Sequence, residues 1–261
     1  MSSYNPDHLF LANDSTKELV FIHGFLGEPD DWLPVIQPLQ KDYTILALSL
    51  YQLIEPLENV TFEAVCGRIK EALDHYGLDK PVLIGYSLGG RIAIDYALRF
   101  PDQLAGLLIE SAHLGFRVDD ATDRSQYLAL FKSRLDLLTD LDLKAFISQW
   151  YQQGLFSLTA KALTAEQLLQ KIRLPKDALL ALFKGLDLTQ QGYLLANSDQ
   201  FAFRIGYVVG SLDPKYVSLA QVVAANDAFQ TDIVPGADHN VHLTQRDRFM
   251  SALHAYLADV F

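Results

Sequence analysis

Short apolar runs alternate with longer helical patterns along most of the chain. Six of the runs predict β-strands, because they are short, mostly apolar and ended by Gly or polar residues; they cover 18–24, 43–50, 81–87, 104–111, 201–210 and 228–236. Helical patterns lie between them, near 30–40, 61–76, 88–99, 215–225 and 241–258. Apolar strands that alternate with helices predict an α/β fold, with a mostly parallel central sheet and helices on both faces.

The stretch 112–200 breaks this alternation. Its patterns, among them "RSQYLALFKSRLDLLTDLDLKAFISQWYQQGLF", are all helical, and no strand pattern separates them. We interpret residues 1–111 and 201–261 as one core, and residues 112–200, the inserted segment, as a helical lid. Helices inserted at the carboxyl end of a parallel sheet lie over the crevice where such sheets bind ligands.

The composition favours a globular protein of a reducing compartment. Of the 261 residues, 50% are hydrophobic and 20% are charged, which allows a large core. The single cysteine, Cys66, excludes an internal disulfide, and the sequence shows neither a signal peptide nor an apolar run of membrane-spanning length. We therefore expect a cytoplasmic protein.

The net charge of −11 at pH 7 narrows the choice of partners. A negative field repels nucleic acid and anionic membrane surfaces, so we expect neither as a partner. A small anionic substrate is also repelled at long range. Its binding requires local cations that outweigh the global charge.

The residues Gly85-Tyr86-Ser87-Leu88-Gly89 match the pattern G-x-S-x-G between an apolar strand and a helix. A serine on a sharp strand-to-helix turn needs small neighbours, because the turn brings backbones close together. Such a turn exposes the Ser87 hydroxyl and directs the Leu88 N–H at a developing anion. The pattern alone also occurs in plain loops, but its position between strand and helix indicates a catalytic serine.

A serine hydroxyl becomes reactive only when a histidine accepts its proton. Among the seven histidines, His239 lies in a loop after the last predicted strand. Its neighbour His242 lies in the following helical pattern, where an ordinary helix histidine is the simpler interpretation. A His-x-x-His metal site is disfavoured, because no carboxylate or third histidine is placed to complete it.

The histidine also needs an acid that holds its tautomer, and Asp213 follows the predicted strand 201–210. Taken alone, Asp213 fits equally well as a turn residue or a helix cap. The chain order Ser87, Asp213, His239, with each residue just after a strand, is the order of an α/β-hydrolase triad.

The loop "VFIHGFLGEPDDW" after the first predicted strand supplies a second backbone donor for an anion. We assign this role to the Phe25 N–H, with the Leu88 N–H as the first donor. For His23 we prefer a structural role, in which the imidazole bonds nearby backbone.

Arginines of the inserted segment indicate the charge of the substrate. On a helix over 121–138, Arg124 shares one stripe with four large side chains, namely Tyr127, Leu128, Phe131 and Leu135. A guanidinium on an inward stripe either reaches the rim of the cleft or pairs with a carboxylate inside it. Arg124 therefore favours an anionic substrate over the apolar substrate of a lipase or simple esterase.

Two further residues have two interpretations each. Arg173 is either a cation at a helix C-terminus or a second anion contact. Trp150 is either packing within the lid or a wall of the pocket. We interpret Arg134 as a solvated charge and Arg91 as a salt-bridging arginine in the shell behind Ser87.

The chain resembles the 2-succinyl-6-hydroxy-2,4-cyclohexadiene-1-carboxylate synthase family of menaquinone biosynthesis over residues 19 to 258. The resemblance lies in "HGFLGEPDDW", "GYSLGGRIA", "DRSQY", "QWYQQGLF", "VVGSLDPKY" and "PGADHNVH". The first motifs are shared by many α/β-hydrolases, whereas the lid segment and the extended serine motif are more discriminating. The chain departs from the family at Gly154 and Leu114, where a proline and a Pro-Gly step are usual.

The resemblance implies a lyase that eliminates pyruvate from 2-succinyl-5-enolpyruvyl-6-hydroxy-3-cyclohexene-1-carboxylate. It implies that Ser87, relayed to His239 and Asp213, abstracts a ring proton. It also implies a substrate pocket formed by Tyr86, Trp150, Arg124 and Arg173. It requires no metal or organic cofactor. Other enzymes of the menaquinone pathway are candidate partners besides the polycarboxylate substrate.

Two other functions remain open. A carbon–carbon bond hydrolase or a carboxylesterase uses the same triad through an acyl-enzyme, because the fold does not fix the reaction. A catalytically inactive binding protein is the second alternative. The sequence leaves open whether Ser87 acts as base or nucleophile.

Overall fold

One seven-stranded sheet forms the centre of the protein, whose computed structural model describes residues 7–117 and 119–261. Its strands, in the spatial order β1-β3-β2-β4-β5-β6-β7, are β1 (Leu9–Leu11), β2 (Glu18–Ile22), β3 (Thr44–Leu48), β4 (Val82–Tyr86), β5 (Gly106–Glu110), β6 (Ile205–Gly210) and β7 (Phe229–Val234). Only β1 is antiparallel to its neighbour, and all other pairs are parallel. The expected α/β-hydrolase architecture is confirmed.

Helices connect the strands on both sides of the sheet. In chain order the α-helices of the described residues are α1 (Leu33–Leu39), α2 (Leu50–Leu53), α3 (Phe62–Tyr76), α4 (Leu88–Arg99), α5 (Ala121–Asp140), α6 (Leu143–Trp150), α7 (Thr159–Ala162), α8 (Ala165–Arg173), α9 (Lys176–Gly185), α10 (Pro214–Val223), α11 (Val241–Thr244) and α12 (Arg246–Val260). Short 3-10 turns, such as Pro29–Trp32, complete the connections.

The sheet divides the hydrophobic core into two layers, because successive side chains of each strand point to opposite faces. Val20 and Ile22 of β2 pack in the layer that contains α3, α4 and α10. Leu19 and Phe21 of the same strand pack in the layer that contains α1 and α12. The strands β3 to β6 are buried along their whole length, as expected for a sheet covered on both faces.

The six predicted strands correspond to β2 through β7. The strand predicted over 201–210 is β6, which begins only at Ile205. The edge strand β1 was not predicted, since three half-buried residues give too short a pattern to register. The helix predicted near 241–258 is broken at Gln245 into α11 and α12. Among the described residues, no helix has the length and apolar content needed to cross a bilayer.

The inserted segment leaves the sheet after β5 and returns at β6. It contains α5 to α9, and its described residues, 112–117 and 119–200, include no strand. Its contacts with the core include those of α9 on the turn Leu57–Asn59 and of α7 on α11. The segment therefore lies beside the C-terminal ends of β4, β5 and β6, where the candidate site is formed.

Candidate active site

Ser87 occupies the sharp turn between β4 and α4. Its φ of 51° lies in the left-handed region, which a non-glycine residue adopts only when its surroundings hold it there. Its N–H donates to the carbonyl of Glu110 at 2.9 Å. A Cβ at Gly89 would lie 2.2 Å from the Ile22 carbonyl oxygen, and one at Gly85 would lie 2.5 Å from that of Gly89. The glycines therefore allow the turn to pack against β2.

His239 and Asp213 complete a hydrogen-bonded chain with Ser87. The His239 Nε2 atom lies 3.0 Å from Ser87 Oγ, and His239 Nδ1 lies 2.6 Å from Asp213 Oδ2. Asp213 and His239 are 2% and 3% exposed, so water does not compete for the bond between them. The carboxylate can hold the imidazole with its proton on Nδ1, which leaves Nε2 free to accept the serine proton.

The turn Gly24–Gly27 faces Ser87 from the end of β2. His23 holds its base: Nδ1 donates to the Gly24 carbonyl at 2.9 Å, and Nε2 accepts the Leu50 N–H at 3.1 Å. Burial lowers the pKa of His23 to about 4, so this imidazole is neutral and structural at neutral pH. Phe25 lines the cleft, and Leu88 begins α4, where an N–H has no partner within the helix.

A cleft begins at Ser87 and runs between the core and the inserted segment. Tyr86 and Trp150, two of the predicted pocket residues, line it. Further lining comes from Phe25 and Trp32 of the core and from residues of the inserted segment that include Tyr151, Phe156, Thr159 and Lys171. The Phe25 ring packs on Trp150 at 5.0 Å between centroids. The cleft is therefore lined by aromatic rings together with polar groups, which include Asp31, Gln167 and Asn240.

The two predicted lid arginines do not line this cleft. Arg124 lies on the first turn of α5, and its guanidinium carbon is 5.7 Å from the ring centre of Phe116. Arg173 is exposed at the last position of α8, which fits the helix C-terminus interpretation. The cation of α8 that does line the cleft is Lys171, two positions earlier. Half a turn of a helix separates the solvent face from the cleft face, and the sequence pattern did not fix that rotation.

Three other basic residues gather around Tyr216, whose ring centre lies 4.9 Å from that of His239. They are Arg91 of α4, Arg134 of α5 and Lys215 of α10. Burial lowers the pKa of both arginines. Burial and the neighbouring Arg134 lower the pKa of Lys215, while Asp213 opposes the shift. None of the three forms an ion pair with a carboxylate in the described part of the chain.

The structure corrects two interpretations in this cluster. Arg134, expected as a solvated charge, is half-buried over Trp150, with its guanidinium carbon 5.5 Å from the ring centre. It also donates to the side-chain oxygen of Gln153. Arg91, expected in a salt bridge, instead donates to the Gln191 side chain at 3.0 Å and to the Leu186 carbonyl at 2.5 Å. In the described part of the chain, both guanidinium groups thus donate to neutral oxygen acceptors.

His242 belongs to a second buried pair. Its Nδ1 atom lies 2.7 Å from Glu110 Oε2, and its backbone N–H donates to Glu110 Oε1 at 3.0 Å. The ring stacks on Trp32 with centroids 4.0 Å apart. These contacts agree with a structural histidine. Across residues 7–117 and 119–261, no group of three or more His, Cys, Asp or Glu side chains is arranged to hold a metal.

Asp238 fastens the His239 loop to the inserted segment, a role that the sequence did not indicate. Its carboxylate is fully buried and accepts the N–H groups of Leu158 and Thr159 at 2.8 and 2.7 Å, together with the Thr159 hydroxyl at 2.8 Å. The His239 N–H donates to the Leu155 carbonyl at 3.1 Å. Both the Asp238 carboxylate and the His239 backbone thus join the His239 loop to residues 155–159.

Comparison with known proteins places the chain among described families. A family model described as the alpha/beta hydrolase family matches residues 19–252. A 2-succinyl-6-hydroxy-2,4-cyclohexadiene-1-carboxylate synthase of Enterobacter sp. (strain 638) is 31% identical over 233 residues, or 86% of this chain and 85% of that protein. A protein of the same name from Pectobacterium atrosepticum (strain SCRI 1043) is 27% identical over 245 residues, or 92% and 93% of the two chains.

Solved structures agree in fold. The structure of MenH from S. aureus has a TM-score of 0.86 at 20% identity and covers 100% of this chain and 99% of that chain. A thermophilic esterase from Thermogutta terrifontis has a TM-score of 0.72 at 18% identity, with 97% and 93% covered. At these identities the likeness concerns the fold alone. On the sequence comparisons, the chain belongs to the alpha/beta hydrolase family and, within it, to the 2-succinyl-6-hydroxy-2,4-cyclohexadiene-1-carboxylate synthases.

Proposed function

We propose that this protein eliminates pyruvate from 2-succinyl-5-enolpyruvyl-6-hydroxy-3-cyclohexene-1-carboxylate, giving 2-succinyl-6-hydroxy-2,4-cyclohexadiene-1-carboxylate. The family membership supports the reaction. The observation that carries the chemistry is the bonded chain from Ser87 Oγ through His239 to Asp213, which can move a proton.

The reaction begins with removal of the ring proton next to the succinyl carbonyl. Ser87 Oγ takes this proton as its own proton passes to His239 Nε2, and the Asp213 carboxylate stabilises the resulting imidazolium. The electrons of the broken C–H bond move onto the carbonyl oxygen, which forms a dienolate.

The dienolate oxygen needs donors that are already in place when its charge develops. The N–H groups of Phe25, which lines the cleft, and of Leu88, which begins α4 after Ser87, serve this purpose. When the dienolate collapses, the second ring double bond forms and the carbon–oxygen bond to the enolpyruvyl group breaks. The leaving enolate takes a proton and becomes pyruvate.

The substrate carries several carboxylates, and one cluster of cations is placed to meet them. Arg91, Arg134 and Lys215 surround Tyr216 beside His239 and form no ion pair with a carboxylate of the described residues. Tyr86 and Trp150 form the wall against which the ring lies. Direct roles for Arg124 and Arg173 require a movement of α5 or α8. We infer that the inserted segment is a lid, so such a movement is part of the proposal.

A hydrolase with the same triad is separated from the lyase by its products. Wild-type protein should release pyruvate from the enolpyruvyl substrate, which a coupled lactate dehydrogenase assay follows, and should turn over p-nitrophenyl esters poorly. Ser87→Ala should abolish the release and keep the affinity for the substrate. Rapid ester turnover without pyruvate would assign the protein to the hydrolases. Cytoplasmic location and contacts with other enzymes of menaquinone biosynthesis remain predictions.

A further inference from the structure

The turn Gly24–Gly27 contains an unusual backbone conformation. The turn is closed by a hydrogen bond from the Gly27 N–H to the Gly24 carbonyl at 3.0 Å. Within it, Leu26 has a φ of 63°, in the left-handed region that branched side chains avoid. Such a residue keeps its conformation only when neighbouring groups hold it. Any relaxation of φ at Leu26 reorients the preceding peptide and moves Phe25.

Lys171 of α8 reaches this turn from the inserted segment. The side chain is buried, and its ammonium donates to the Leu26 carbonyl at 2.9 Å and lies 3.1 Å from Asp31 Oδ2. Although burial opposes a charge here, the Asp31 carboxylate raises the pKa of Lys171 above its usual range. The same Asp31 oxygen accepts the Glu28 N–H at 3.0 Å, so the pair is anchored in the core loop.

The turn is therefore held from two sides. The core holds the Gly24 carbonyl through His23, and the inserted segment holds the Leu26 carbonyl through Lys171. Phe25, whose N–H faces Ser87 in the proposed reaction, lies between the two held carbonyls. A buried ion pair costs desolvation and adds little net stability, which favours a role in fixing geometry.

We propose that Lys171 is a positioning residue that keeps Leu26 in its left-handed conformation and thereby fixes the Phe25 N–H as an oxyanion donor; this rests on the proposed function, in which that N–H stabilises the dienolate. The oxyanion site is complete only when α8 is seated on the core. Closure of the lid and assembly of the site are then a single event.

The test separates positioning from substrate binding. Lys171→Met keeps the length and packing of the side chain and removes its donors, and Lys171→Met with Asp31→Asn leaves no unpaired buried carboxylate. Three quantities are measured: pyruvate release, the rate at which a fluorophosphonate labels Ser87, and the substrate affinity in a Ser87→Ala background. Labelling needs the oxyanion donors but not the enolpyruvyl substrate. Lys161→Met, at an exposed position of α7, is the matched control.

We expect kcat and the labelling rate to fall at least about 10-fold in both Lys171 variants, as for loss of an oxyanion donor, with substrate affinity within about 2-fold of wild type. Lys171→Arg should restore much of the labelling rate. Unchanged labelling in a folded variant overturns the proposal, and so does a loss confined to substrate affinity. If wild type is labelled but releases no pyruvate, the proposed function fails, while the labelling rates still decide the role of Lys171.

Discussion

At the scale of single residues, several groups of the site have a backbone conformation or an environment that is unfavourable in free energy. Ser87 and Leu26 both have positive φ values, of 51° and 63°, on the two turns that face each other across the cleft. The partly buried guanidinium groups of Arg91 and Arg134 beside Tyr216 are a cost of a different kind, since burial opposes their charge and no carboxylate of the described residues forms an ion pair with them. Both features are explained if a charged ligand completes the site.

Replacement of Lys215 tests the cationic cluster. Lys215→Met removes one positive charge near Asp213 and should raise KM for the enolpyruvyl substrate about 5-fold, or about 1 kcal/mol, with a smaller effect on kcat. The effect should shrink as salt is added, because exposed charges are screened. Steady-state kinetics at two salt concentrations measure both quantities.

The control for this prediction is Lys41→Met, which removes the same charge from an exposed position outside the site. Equal KM values for the two variants would mean that the cluster does not meet the substrate.

At the scale of elements, the inserted segment is attached unevenly. Its first helix, α5, buries only Leu138. By contrast, residues 155–159 are bonded to the His239 loop through Asp238, and α8 is bonded to the core through Lys171. Weak packing permits local opening at low free-energy cost, so α5 is the part of the segment best able to move.

Asp238→Asn tests the attachment of the His239 loop. In either orientation the amide nitrogen would face a backbone N–H, that of Asn240 on one side or those of Leu158 and Thr159 on the other, so hydrogen bonds to a charged acceptor are lost. We expect a free energy of unfolding lower by roughly 2 kcal/mol and a lower kcat, because the loop carries His239. Denaturant titration and pyruvate release give the two values. Asp140→Asn, at an exposed position of α5, is the control. If Asp238→Asn had the same kcat as this control, the attachment of the loop would have no effect on catalysis.

The secondary-structure elements could be predicted from the sequence better than the tertiary contacts between side chains. Strands β2 to β7 and the Ser87 turn follow from apolar runs and glycines, which are local signals. Lys171 and Asp238 carry no local signal, because their partners lie about 140 and 80 positions away in the chain. The rotation of α8, which places Lys171 inward and Arg173 outward, depends on tertiary packing.

At the scale of the whole molecule, two buried neutral histidines link stability to pH. Burial lowers the pKa of His23 to about 4, and burial with the nearby Lys215 and Arg91 lowers that of His113 to about 3. An unfolded chain binds protons at both sites near pH 6.5, whereas the folded chain does not. The unfolded state therefore gains protons, and relative stability, as the pH falls below 6.5.

We therefore expect the free energy of unfolding to decrease between about pH 6.5 and pH 4, with about 1.4 kcal/mol per pH unit from each histidine. Urea titrations across this range measure the slope. His113→Asn keeps an acceptor for the Gly115 N–H, which lies 3.2 Å from His113 Nδ1, and should reduce the slope by one proton. An unchanged slope in this variant would show that His113 binds a proton in the folded protein.

The most direct test of the central claim is the rate of pyruvate release by wild type and by His239→Gln, each mixed with the enolpyruvyl substrate. If the hydrogen-bonded residues Ser87, His239 and Asp213 move the ring proton, wild type forms pyruvate and the cyclohexadiene in equal amounts. The variant should be slower by about 10³-fold or more at similar substrate affinity. Pyruvate release at the wild-type rate by His239→Gln, or none by wild type, would contradict the claim.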